Sequence, residues 1–211
     1  MSLFADSIDA DQAETGGLLK GVTPAVVSNN RDDGGMGRVK LRFPWNPDEE
    51  SDWARVCTPM AGKERGVWFL PEVGDEVLVA FDRGDPRHPY VIGSVWNGKE
   101  APPADNADGK NRLRRVRTKH GHELTFDDGG QHAVELKTKG GKRLTLDDQK
   151  IELVDENGNQ IVIESASGAL TLRSKTSLKF ESQQIEIAAS GALTLKGTSQ
   201  VTIQGTQVAI N

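Results

Sequence analysis

From residue 168 to the end of the chain, large apolar residues recur in pairs two positions apart: Leu170/Leu172, Leu178/Phe180, Ile185/Ile187, Leu193/Leu195, Val201/Ile203 and Val208/Ile210. Residues at i and i+2 share one face of a strand, so each pair predicts one short strand, and the Gly, Ser and Thr residues between pairs predict turns. Successive pairs are seven or eight residues apart. A repeat that short gives one strand and no helix to cover it. Its apolar face and backbone edges then require other copies of the same chain, which predicts a homo-oligomeric β-fibre. Longer units precede the short ones: HGHELTFDD, AVELKT, GKRLTLDD, KIELVD and NQIVIES. Leu124, Val134 and Leu144 are ten residues apart, so the loops shorten along the chain. Eleven such units between Leu124 and Ile210, each advancing by about 4.8 Å, predict a shaft of about 50 Å.

Between residues 20 and 98 the pattern is that of an ordinary globular core. Strands are expected at 24–28, 37–43, 54–58, 66–70, 76–81 and 90–95. In the second of these, Val39, Leu41 and Phe43 face one way and Arg38, Lys40 and Arg42 the other. Asp33-Gly34-Gly35, the prolines of 44–47, Pro71 to Gly74 and Gly84-Asp85-Pro86 separate them as turns. No segment carries a helical period. Short strands at this density predict a small Greek-key barrel of the oligonucleotide/oligosaccharide-binding (OB) type, with a sandwich as the alternative. The fold class is therefore all-β, with four expected regions. They are a polar arm at 1–19, the barrel at 20–98, a linker and basic collar at 99–118, and an intertwined triple-stranded β-helix needle at 119–211.

Composition narrows the chemistry. A formal net charge of −5 argues against a general polyanion binder, even with the basic run from Lys110 to Lys119, which reads as a solvated or partner-facing collar. Cys57 is the single cysteine; this excludes an intrachain disulfide and suggests a small buried residue in a strand. The N-terminal residues are acidic where an export signal would be basic and then apolar, so assembly in the cytoplasm is expected. Asp127/Asp128 and Asp147/Asp148 are carboxylate pairs at strand ends, which suits turn chemistry better than acid–base catalysis or calcium binding. No catalytic residue and no cofactor is expected.

The segments GRVKLRFPW (37–45), SDWARV (51–56) and FLPEVGDEVLVAFDRGDPRHPYVIGSVWNG (69–98) resemble the barrel domain of contractile-injection spike proteins. That family comprises phage baseplate assembly protein V, the valine-glycine repeat protein G of type VI secretion, and the spikes of phage-tail-like particles. GHELTFDD, KRLTLDD, KIELVDENGNQIVI and the short repeats resemble the same family's triple-stranded β-helix. The resemblance implies a homotrimer whose three tails wind into a needle below three barrels, with the twelve paired apolar residues lining its core. It further implies a non-enzymatic spike in a phage virion or phage-tail-like particle that meets the target membrane during injection. Only about twenty residues precede the barrel, so a separate hub protein is expected there. A separate conical tip protein of the Pro-Ala-Ala-Arg repeat class is expected at Val201, Ile203, Val208, Ile210 and Asn211. Some phage spikes bind iron through His-x-His pairs; His120 and His122 have that spacing, but they stand at the start of the expected shaft, and no metal is assigned to them. The rival readings are a nucleic-acid-binding barrel, suggested by fold alone, and a tailspike-like polysaccharide-degrading enzyme, which the short strands and turn-bound carboxylates disfavour.

Overall fold

The computed structural model describes residues 18–130 and 132–209, and the chain divides into two compact units, 1–107 and 108–211. The expected N-terminal arm at 1–19 lies outside the described residues up to residue 17.

In the first unit, β1 (Val22–Asn29), β2 (Arg38–Arg42) and β3 (Ala54–Val56) are followed by a small hairpin of β4 (Ala61–Gly62) and β5 (Arg65–Gly66). β6 (Glu76–Phe81) and β7 (Pro89–Ser94) complete the unit. Five of these strands close a barrel in the order β1-β2-β3-β7-β6, and β3 runs parallel to β7. The closure selects the OB-type barrel over the sandwich. The alternation of β2 works as the pattern predicts. Val39 and Leu41 are fully buried with Ala25, Val27, Phe43, Ala54, Val77, Val79 and Val91. On the outside, Arg38 and Lys40 lie 5.5 and 5.6 Å from the Trp53 ring.

Two tight loops hold the strand ends. Asp32 accepts the backbone N–H groups of Gly34, Met36 and Arg38, and its carboxylate also takes two hydrogen bonds from the Arg38 guanidinium, at 2.9 Å each. That guanidinium is the main reason its carboxyl is held far below the usual range. Asp85 does the same work between β6 and β7, where Arg87 clamps it at 3.0 and 2.7 Å and lowers its pKa likewise.

The strand expected at 66–70 is not formed beyond Gly66. Val67 donates its N–H to Met60 O and Thr58 Oγ1 bonds Val67 O, so the segment folds back on itself and exposes Trp68 and Phe69. Cys57, expected in a buried strand position, lies one residue beyond β3 and is exposed.

The second unit is a seven-stranded antiparallel meander of β8 (Leu113–Arg117), β9 (Glu123–Asp127), β10 (Ala133–Lys137), β11 (Arg143–Leu146), β12 (Lys150–Val154), β13 (Gln160–Glu164) and β14 (Leu170–Arg173). The basic stretch expected to belong to a collar therefore supplies the first strand of this sheet. Past Arg173 no strand occurs among the described residues.

Leu41→Ala removes a fully buried side chain from the barrel wall, and should lower barrel stability by about 2–5 kcal/mol in chemical denaturation. The exposed neighbour Arg42→Ala should shift it by no more than about 0.5 kcal/mol.

Candidate assembly surface

Register fixes what each face of the second unit presents. Phe126 stands opposite Val134, Leu124 opposite Leu136 and Val116, Leu146 opposite Ile151, Leu153 opposite Ile161, and Ile163 opposite Leu170. The i, i+2 pairs of β9 to β14 thus align into one apolar stripe, two residues wide, with Val116 of β8 at its edge. Most of the stripe is uncovered: Leu136 is 51% exposed and Leu170 63%. Such a side chain is worth about 1.5–3 kcal/mol when fully buried, so a contiguous stripe of them is a surface awaiting a partner.

The opposite face is polar and better covered. Thr125 is only 8% exposed beneath Arg115, whose Nε lies 3.1 Å from its hydroxyl. Arg143 bonds Glu152 at 3.1 Å and approaches Glu135, while Lys150 bonds Glu152 at 3.1 Å. These bonds hold the Glu152 carboxyl below its usual range, with Lys150 the largest influence and Arg143 following burial.

Three hairpins at one end of the meander share a design. Thr118, Thr138 and Asp155 each accept, through a side-chain oxygen, the backbone N–H of the residue four positions on, at 3.1, 3.1 and 2.9 Å. The fourth residue of each turn is a glycine with φ of +87°, +95° and +86°, a conformation that other residues resist. These turns set register, and a slip of one residue would send the whole stripe to the other face. At the opposite end, Asp127 and Asp147 accept the N–H groups of Gly129, and of Gln149 and Lys150. Their carboxylates serve the turns, as the sequence suggested.

His120 and His122 flank Gly121 within the β8–β9 turn. They are not strand neighbours, so the alternation that would point both imidazoles to one side does not operate. Among the described residues no group of three or more His, Cys, Asp or Glu is placed to hold a metal ion.

Of the expected core residues, Leu170 and Leu172 lie on the stripe, opposite Ile163 and Ile161. Leu178 lines a recess of 420 Å³ with Leu153, Ile161 and Leu172. Phe180, Ile185, Ile187, Leu193, Leu195, Val201, Ile203 and Val208 are all exposed and lie in no strand among the described residues. Ile210 and Asn211 lie outside the described residues. The expected core list omitted the stripe upstream of residue 170, although the pairs L-T-F, V-E-L, L-T-L, I-E-L and I-V-I carry the same signal. No helix among the described residues is long and apolar enough to cross a membrane.

Residues 23–96 match the family described as the type VI secretion system/phage-baseplate injector OB domain. Similar curated proteins include the actin cross-linking toxin VgrG1 of Vibrio cholerae, 37% identical over 101 residues, which are 44% of this chain and 9% of that protein. The type VI secretion system spike protein VgrG3 of Vibrio cholerae is 35% identical over 102 residues, 44% of this chain and 10% of the relative. The spike protein VgrG1b of Pseudomonas aeruginosa is 34% identical over 113 residues, 46% and 15% respectively. The chain thus spans a small fraction of the length of these relatives.

The depressed Glu152 predicts an acid-sensitive sheet. A carboxylate whose folded pKa lies below its unfolded value contributes stability above the unfolded pKa, near 4.5, and loses it as pH falls through the folded value. Thermal melting from pH 7 to pH 3 should show stability falling below that point. Glu152→Gln should melt lower than the parent at pH 7 and show a shallower acid loss.

Proposed function

Because its barrel belongs to the injector OB-domain family of type VI secretion systems and phage baseplates, we propose that this chain is a structural, non-enzymatic spike of a contractile injection machine. In this reading the chain works as a homotrimer, and residues 119–211 of three copies form the triple-stranded β-helix. The observation that carries it is the uncovered apolar stripe of the meander together with the unpaired, evenly spaced apolar residues that follow it. Three copies facing one axis remove both from water at once, and the interchain ladders satisfy strand groups that one chain leaves open.

The polar face, with its Glu135–Arg143–Glu152–Lys150 network, is the solvent side of that assembly. A rigid β-prism suits a device that transmits axial force, because load is shared among many backbone hydrogen bonds. The relatives named as type VI spike proteins support the same role. Within the proposal, a separate hub protein meets the barrel, and a conical Pro-Ala-Ala-Arg repeat tip protein seats on residues 201–211. The target membrane is met only transiently, during injection.

Light scattering of the purified chain should give the mass of three copies. Leu193→Asp places three carboxylates at one level of the dry core and should abolish the trimer. Lys196→Ala, which has the opposite strand parity to Leu193 and Leu195, should leave the trimer intact. A trimer that survives Leu193→Asp would overturn the packing.

A further inference from the structure

The barrel carries a second uncovered apolar surface, on the outside of β1, β6 and β7. Where β2 alternates apolar with Arg and Lys, these three strands are apolar on both sides. Val22 is 55% exposed, Val26 43% and Ile92 44%, with Pro24 exposed and Leu78 half-buried among them. Pro24 stands opposite Leu78, and Leu78 opposite Gly93 beside Ile92, so the five side chains share one patch. Two arginines and one acid border it, the acid being Glu76 of β6 opposite Val26. Arg42 of β2 is opposite Val26, and Arg55 of β3 is opposite Tyr90, 6.0 Å from its ring; both are exposed. A strand with apolar residues on both faces is the pattern of a strand covered on both sides.

We propose that the chain's own N-terminal segment covers this patch, on its own barrel. Three observations point to that occupant. Residues 1–17 contain Leu3, Phe4 and Ile8 interleaved with Asp6, Asp9, Asp11 and Glu14, and contain no Lys or Arg. This pattern of apolar anchors among acids complements an apolar patch whose border carries Arg42 and Arg55 against Glu76. The segment also enters at the right place. Leu19 donates its N–H to Gly84 O at 2.8 Å, and Val22 lies opposite Ala80, so the chain passes directly from the segment into the patch's first strand. Its length suffices as well. The ten residue-to-residue steps from Ile8 to Leu18 reach about 33 Å when extended, and the eight-residue β1 spans about 26 Å. The inference does not depend on the spike reading.

A benzophenone amino acid placed at Phe4 of the full-length protein tests it. On irradiation, the crosslinks should map to the β1, β6 and β7 peptides carrying Val26, Leu78 or Ile92, in a band of single-chain mass. Arg42→Glu with Arg55→Glu should reduce that band severalfold. Absence of the band, crosslinks to the 108–211 unit or to the Trp68 hairpin, or a band of two-chain mass would each overturn the proposal. Light scattering of the same sample reports the number of copies, so a missing crosslink in an intact trimer sinks this inference alone.

Discussion

A β-sheet that is apolar across one entire face cannot be a finished surface in water, and this constraint governs the distal half of the molecule. The register of seven strands places the i, i+2 apolar pairs of β9 to β14 on the same side, with only Val154 and Val162 of their large apolar residues on the other. Nothing in the described unit returns to cover them: there is no helix and no second layer. The usual two-layer solution, in which a sheet packs on another element of its own chain, is absent from the described unit, and the proposed trimer supplies the cover from further copies. In that assembly stability and association would be a single quantity, dependent on concentration.

The barrel solves the same problem differently, and the contrast shows what the sequence made legible. In β2 the strict alternation of Arg38, Val39, Lys40, Leu41 and Arg42 announced both the strand and its buried side, and the structure keeps both. The segment after β3 was misread because Val67, Trp68, Phe69 and Leu70 look like a buried strand by composition. What decides their fate is local: Gly62 and Gly66 let residues 58–67 close on themselves. A Cβ at Gly66 would meet Met60 O at 2.8 Å. The hairpin consumes the backbone groups that a sixth barrel-wall segment would have needed, so the aromatic side chains end up outside. Cys57 follows from the same event, since β3 stops at Val56 and leaves it in the connection.

In the distal unit the apolar pairs were readable as strands, but which strands pair within the chain was not. The heptapeptide ASGALTL occurs twice, at 166–172 and 189–195. The first copy closes a hairpin: Gly168 has φ +67°, and Leu170 and Leu172 face Ile163 and Ile161. The second forms no strand in the chain, although Ile185 and Ile187 precede it just as Ile161 and Ile163 precede the first. Identical local sequence with different outcomes means that propensity does not settle the pairing.

The difference lies in the connection. Between Ile163 and Leu170 six residues make the turn, whereas between Ile187 and Leu193 there are five. Five-residue turns do close elsewhere in the unit, at 118–122, 138–142 and 155–159, each with glycine in the fourth place. Gly191 occupies that place too. Those turns, however, begin with Thr118, Thr138 or Asp155, whose side-chain oxygens take up the N–H of the last turn residue. Ala188 stands at the corresponding position and has no oxygen to offer. Without that acceptor the reversal loses a hydrogen bond that each of those three turns makes, and a side-chain bond of this kind is worth about 0.5–1.5 kcal/mol; the β9–β10 turn at 128–132, which lacks it, instead has His132 N–H donating to Gly129 O and Asp127 accepting from Gly129 N–H. In the proposed assembly the chain is then free to continue as a strand toward another copy, and strand pairing within the described chain ends with the β13–β14 hairpin.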